Sequence, residues 1–209
     1  MNGQRQMEAI ASRACARWDR RASLRPRSRN HRLGHGLFIE SGAELCNEDH
    51  KHLNFAKLGA LWTNVPNGRA GRRIIGQAER GLPPAGNWMR GRIEMQLLGW
   101  FGEVPDFVLT FDGEYCSQCS DVEFMALVEH ELYHCGQERD EFGLPKFTKL
   151  GAPKFGIRGH DVEEFVGVVR RYGADASGVR EMVEAASRLP EVSAVRIAQA
   201  CWTCRLRVA

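Results

Sequence analysis

No run of about 18 apolar residues occurs in this 209-residue chain, so no stretch has the length to cross a bilayer as a helix. The N-terminal stretch also lacks the apolar core of a secretory signal. Cysteine is present seven times, an odd number, and without a signal this points to a reducing compartment rather than a disulfide framework. The segment Gly68 to Gly76, GRAGRRIIG, has neither the Lys-Ser/Thr of a Walker loop nor a strand-linked G-x-G-x-x-G, which excludes a nucleotide loop. There is no internal repeat and no low-complexity array, so a solenoid is excluded too. With 43% hydrophobic and 26% charged residues, the length suits one well-packed domain, not two.

Charge is uneven along the chain. Residues 1–32 hold nine arginines against Glu8 and Asp19, a balance of +7, while the remainder carries −4. A basic arm on a mildly acidic body suits nucleic acid or another polyanion, met through phosphate charge and therefore salt-dependent. Residues 5–22 are expected to be helical, with Ile10, Ala14 and Trp18 at i+4 steps. Ser23 to Arg32, with Pro26 and little apolar content, is expected to stay flexible. The predicted division is a flexible basic arm over 1–35 and one domain over 36–209.

The chemistry is concentrated in His130-Glu131-Leu132-Tyr133-His134, an H-E-x-x-H box. On a helix, positions i and i+4 share a face, so both imidazoles can reach one metal while Glu131 leans toward the same pocket. Ser120-Asp121-Val122-Glu123 has the spacing of a capping box and predicts a helix start near Asp121. From there Met125, Val128, Leu132 and Cys135 form one apolar stripe, with the histidines on a neighbouring face and Gly136 as a stop. Two histidines and a glutamate beside a buried stripe are costly unless satisfied, and a metal satisfies all three.

A catalytic zinc keeps three protein ligands and an open position. Downstream, Arg158-Gly159-His160-Asp161-Val162-Glu163-Glu164-Phe165-Val166 reads as the start of a second helix, with acidic groups in its first turn. His160, Glu164 and Glu163 are all candidates for the third ligand on spacing alone. Asp161, Glu163 and Glu164 are candidates to hold a ring N–H of a metal-bound histidine. Tyr133 and Arg158 are the nearby groups able to steady an oxyanion.

The pair VEHELYHCG and IRGHDVEEF, with WFGEVPDFVLTFDGEY upstream, resembles the phage metallopeptidase family, itself similar in pattern to SprT-like (Spartan-type) zincins. The resemblance covers roughly Asn54 to Gly173. It implies an α+β, zincin-like fold in which a small mixed sheet packs on an active-site helix carrying the box, with a second helix carrying the third ligand. It implies zinc on His130, His134 and His160, with Glu131 as general base. It further implies that the strand Phe107 to Phe111 lies at the sheet edge and receives an extended peptide by β-addition. A cytoplasmic location, in a phage or its bacterial host, follows from the same likeness.

Two function classes are carried forward. One is a zinc-dependent endopeptidase acting on peptide or protein substrates, including proteins associated with nucleic acid. The other is a non-catalytic, zinc-stabilised binding module that contacts nucleic acid or a host protein through the arm. Glu131 favours the enzyme, since a structural site has no use for that carboxylate. Cys116/Cys119 and Cys201/Cys204 are two C-x-x-C pairs that together would make a second, structural zinc site, against a gap of about eighty residues. His31, His35, His50 and His52 are expected at the surface or in loops. Among the other elements, Leu53 to Trp62 is expected to be a short helix or strand. Trp88 to Trp100 is expected to be a helix near the site, and Lys146 to Leu150 is expected to pair with Lys154 to Arg158 over the cleft. Residues 178–189 and 191–200 are expected to be helical.

Overall fold

The computed structural model describes residues 24–26 and 34–193. Its centre is a four-stranded mixed sheet in the order β1 (Leu24–Pro26), β2 (Leu58–Thr63), β6 (Phe107–Asp112) and β5 (Gly76–Arg80). β2 and β6 run parallel, with Leu58 opposite Phe107 and Thr63 opposite Asp112, while β1 and β5 are antiparallel edges. The fold is therefore α+β.

The period of two along the central strands separates two cores. Ala60 and Trp62 of β2 and Phe107, Leu109 and Phe111 of β6 face one side, where they meet Met125, Leu127, Val128 and Leu132 of helix α3 (Asp121–His134). Leu61 and Val108 face the other side and meet Leu97 of helix α1 (Asn87–Phe101). Phe107 and Phe111 are fully buried, and truncating either to alanine costs about 3–5 kcal/mol.

Several sequence expectations change here. Phe107–Asp112 is an interior strand, so the free edge beside α3 belongs to β5. The helix at Trp88 to Trp100 is present, but it packs on the face of the sheet away from α3. Leu24–Pro26, expected to be flexible, forms an edge strand, a position that tolerates proline because one row of its backbone groups needs no partner. The rest of 1–33, including the expected helix at 5–22, lies outside the described residues, as does most of the helix expected at 191–200. Leu53 to Trp62 divides between the end of a 3-10 helix (Glu48–Phe55) and β2.

The Gly68 to Gly76 segment is a hairpin rather than a loop. β3 (Asn67–Arg69) and β4 (Arg72–Ile74) are joined by Ala70 and Gly71, both at positive φ, as a two-residue turn matched to strand twist requires. Arg73 then anchors the hairpin to buried Asp112, its Nε donating to Oδ2 at 2.8 Å. The other oxygen of Asp112 accepts the amides of Glu114 and Tyr115, which starts helix α2 (Gly113–Gln118).

After α3 the chain turns at once into β7 (Cys135–Gln137), which pairs antiparallel with β8 (Phe155–Ile157). The expected hairpin has shifted register. Phe147 bridges Pro153, one residue ahead of the expected partner segment, the Lys154 amide donates to the Lys146 carbonyl at 2.9 Å, and residues 155–157 pair with β7 instead. Helices α4 (Val166–Ala176) and α5 (Arg180–Ala186) close the described chain. None of the described helices is long and apolar enough to cross a membrane.

Candidate metal centre

Helix α3 begins where the capping box predicts. Ser120 Oγ accepts the Glu123 amide, and the Glu123 carboxylate answers by accepting the Ser120 amide at 2.7 Å. The Ser120 amide and hydroxyl, both donating to Oε2, hold the Glu123 carboxyl below its ordinary value. The apolar stripe is buried against the sheet, which fixes the rotation of the helix and so the direction of its last turn. His130 and His134 leave that turn on the side facing β8 and the segment after it.

The third histidine arrives differently. Residues 158–165 are not helical, and α4 starts only at Val166 with Phe165 as its N-cap. The second helix expected to carry the third ligand is therefore a loop at that point. β8 pairs with the strand that continues directly from α3, and the exit is sealed when the Arg158 amide donates to the His134 carbonyl at 2.8 Å. Two residues later His160 is delivered to the end of the helix.

Three Nε2 atoms converge. His130 Nε2 lies 3.3 Å from His134 Nε2 and 3.3 Å from His160 Nε2, and a ligand atom from each lies within 4.8 Å of the others. Nitrogens about 2.0–2.1 Å from a tetrahedral zinc stand about 3.3–3.4 Å apart, so the spacing fits a first-row metal. His134 Nδ1 donates to the Arg158 carbonyl at 2.7 Å, which places its proton on Nδ1 and leaves Nε2 as a lone-pair donor. His160 Nδ1 faces Glu163 Oε1 at 3.4 Å. Burial, then the neighbouring His134 and His160, hold His130 below the usual histidine range. Among the described residues these three histidines are the group of metal-ligand side chains that comes together.

Glu131 turns toward β5. It is buried, at 3% exposure, and the amide of Ala78 donates to its carboxylate. Burial pushes its carboxyl up to about 7, against the opposing effects of Ala78 and His160. The remaining candidates sit elsewhere. The Tyr133 hydroxyl donates to Asp49 Oδ2 and accepts from Asn47 Nδ2, both at 3.0 Å, in a network that also holds Glu129. The Arg158 guanidinium pairs with Asp161, and Glu164 accepts the Phe165 amide. Glu163 is thus the acidic residue of that loop that faces a histidine of the cluster.

The cysteine pair at Cys116 and Cys119 is closed on itself, Cys119 Sγ pointing at the Cys116 carbonyl. Burial pushes the Cys116 thiol up to about 12. Cys201 and Cys204 lie outside the described residues. Of the histidines expected at the surface, His35 and His50 are buried, and His52 bridges the carbonyls of Asp49 and Cys135. His35 Nε2 meets the Ala56 carbonyl at 2.9 Å. These rings brace the segment packed behind α3. Sequence reasoning missed them, and it also missed Gly76 and Ala78, because a contact made by backbone leaves no residue-type signal.

No curated protein and no solved structure gives a significant match to this chain. A family model does. It is described as "Putative phage metallopeptidase" and matches residues 35–187, a span that takes in α3, His160 and every described strand but β1. With most of its length matched, this chain belongs to that phage metallopeptidase family, whose members are described as metal-dependent peptidases.

Proposed function

We propose that this protein is a zinc-dependent endopeptidase of zincin type, similar in plan to SprT-like proteases, with His130, His134 and His160 as the metal ligands and Glu131 as the general base. The observation that carries this reading is the convergence of three Nε2 atoms at zinc-ligand spacing beside a buried carboxylate. When bound, zinc supplies Lewis acidity, polarising a peptide carbonyl and acidifying water.

The chain's own groups do the rest. Glu131 takes a proton from the attacking water and returns it to the leaving amine, the two transfers that a positioned carboxylate performs. His134 is fixed in tautomer and ring angle by the Arg158 carbonyl. β5 is the sheet edge beside the base, so an extended substrate adds there as a further strand through backbone groups other than the Ala78 amide, which Glu131 takes. The arginines of residues 1–32 support tethering to nucleic acid and hence substrates bound to it. Residues 36–209 form the catalytic unit in this reading, with β1 completing its sheet from the arm side.

Elemental mass spectrometry of the purified chain, run beside cleavage of an unfolded protein substrate, tests the proposal. About one zinc per chain is expected in the wild type, lost in His160→Ala. Glu131→Gln is expected to keep the metal and lose cleavage. Cleavage that persists in Glu131→Gln removes the base from the mechanism. Zinc that persists in His160→Ala moves the third ligand to Glu163 or Glu164.

A further inference from the structure

The edge strand does more than border the site. An ideal Cβ built on Gly76 would lie 2.4 Å from Glu131 Oε1, 3.1 Å from Glu131 Cδ and 2.9 Å from Leu127 Cδ1. Real Cβ atoms do not approach that closely, so the carboxylate occupies the volume that any side chain at position 76 would fill. Gly76, Ala78 and Arg80 point to the α3 side of the sheet, because Gly76 pairs with Phe111 and Ala78 with Leu109, both in the α3-side core. Two residues along that face, the Ala78 amide donates to the same carboxylate. At the strand's far end, the Arg80 guanidinium donates to the Phe155 carbonyl on β8. Strand, base and the ribbon that delivers His160 are therefore braced together.

We infer that β5 is a backbone seat for the general base: Gly76 is a positioning residue whose missing side chain admits the Glu131 carboxylate, and the Ala78 amide holds it there. The inference deepens the peptidase reading and rests on it for its catalytic consequence, although the seat itself is a matter of packing. Its φ is not in the left-handed region, so backbone conformation does not demand glycine at 76. Space does. A methyl group at that position leaves two escapes, displacement of the carboxylate or displacement of the strand from the helix. The carboxylate is the end of a flexible side chain and gives first.

Gly76→Ala separates these roles when turnover and thermal melting are read on the same zinc-loaded preparations. With the base pushed off its seat by about 1 Å, kcat is expected to fall about 100-fold, with KM changed less than about threefold. Zinc content is expected to stay at the wild-type level. In the Glu131→Ala background the carboxylate is gone, so the drop in Tm that Gly76→Ala causes in the wild type should shrink by more than half. Leu127 accounts for the remainder. Wild-type kcat in zinc-loaded Gly76→Ala overturns the inference. So does an undiminished Tm loss in the Glu131→Ala background, which would put the clash on strand or Leu127 and not on the base. If the wild type cleaves nothing, the peptidase reading fails, while the two melts still decide whether the seat exists.

Discussion

Two of the three histidines of the metal centre stand on a helix and one on a loop, and the two regions are specified by different physics. His130 and His134 are placed by local rules. A capping box starts α3, an apolar stripe fixes its rotation, and the i,i+4 spacing does the rest. His160 is placed by strand pairing between β7 and β8, by one amide and one carbonyl of Arg158, and by the ion pair of Arg158 with Asp161. The helical half is expected to hold its shape without metal because burial holds it. The loop half is expected to gain most of its order when the proposed third ligand is engaged, since residues 158–165 are largely exposed. In the proposed arrangement the metal would join a preformed pair to a tethered partner.

The largest effects test the proposed chemistry in the helical half. Glu131→Gln should lower turnover by about 10²–10⁴-fold with zinc retained, read as kcat on a peptide substrate at equal metal loading. Next comes the loop half. Glu163→Gln removes the carboxylate facing His160 Nδ1 and should weaken zinc about 10-fold or more, measured by competition with a chelator. The Asp161→Ala change, which releases Arg158 without touching a histidine, should weaken zinc less. If both substitutions leave affinity at the wild-type value, the loop is held by something other than these contacts, and the contrast between the halves loses its basis.

The same contrast explains what the sequence made legible. The start of α3, its buried face, and the convergence of His130 and His134 follow from residues within one helix of each other, where period and capping chemistry act. The interior place of β6 and the edge place of β5 did not follow, because Phe107–Asp112 reads as a strand whether or not another strand covers it. The loop at 158–165 reads as a helix on its acidic residues and Gly159. It is not helical, and at its start the Arg158 amide and carbonyl are committed to His134 instead. The Gly68 to Gly76 segment hid its use for a similar reason. Arg73 works through Asp112, thirty-nine positions away, and no local pattern announces that pairing.

Smaller effects sharpen the boundary of the site. Tyr133 lies inside the box, yet its hydroxyl is committed to Asp49 and Asn47. Tyr133→Phe should therefore cost about 1 kcal/mol of stability and leave kcat within a factor of about two. A fall in kcat of about 100-fold with unchanged Tm would instead return Tyr133 to the list of oxyanion donors.

The last contrast lies within α3 itself, between its buried end and its exposed start. Ser120→Ala removes the cap and should cost about 1 kcal/mol of stability, read as a lower Tm, with metal content unchanged because the histidines are three turns away. Glu123, the other half of the box, adds a pH signature. Its carboxyl is held below the ordinary value by hydrogen bonds from the Ser120 backbone and side chain, so the folded state binds its proton less readily than the unfolded chain does. The stabilisation is complete above the unfolded pKa of about 4.3 and is lost as pH falls through the lower folded value. Tm measured from pH 6 downward should therefore decline less steeply in Glu123→Gln than in the wild type. Equal slopes in the two proteins would mean that the box closes in this structure without contributing to the stability of the helix that carries the metal ligands.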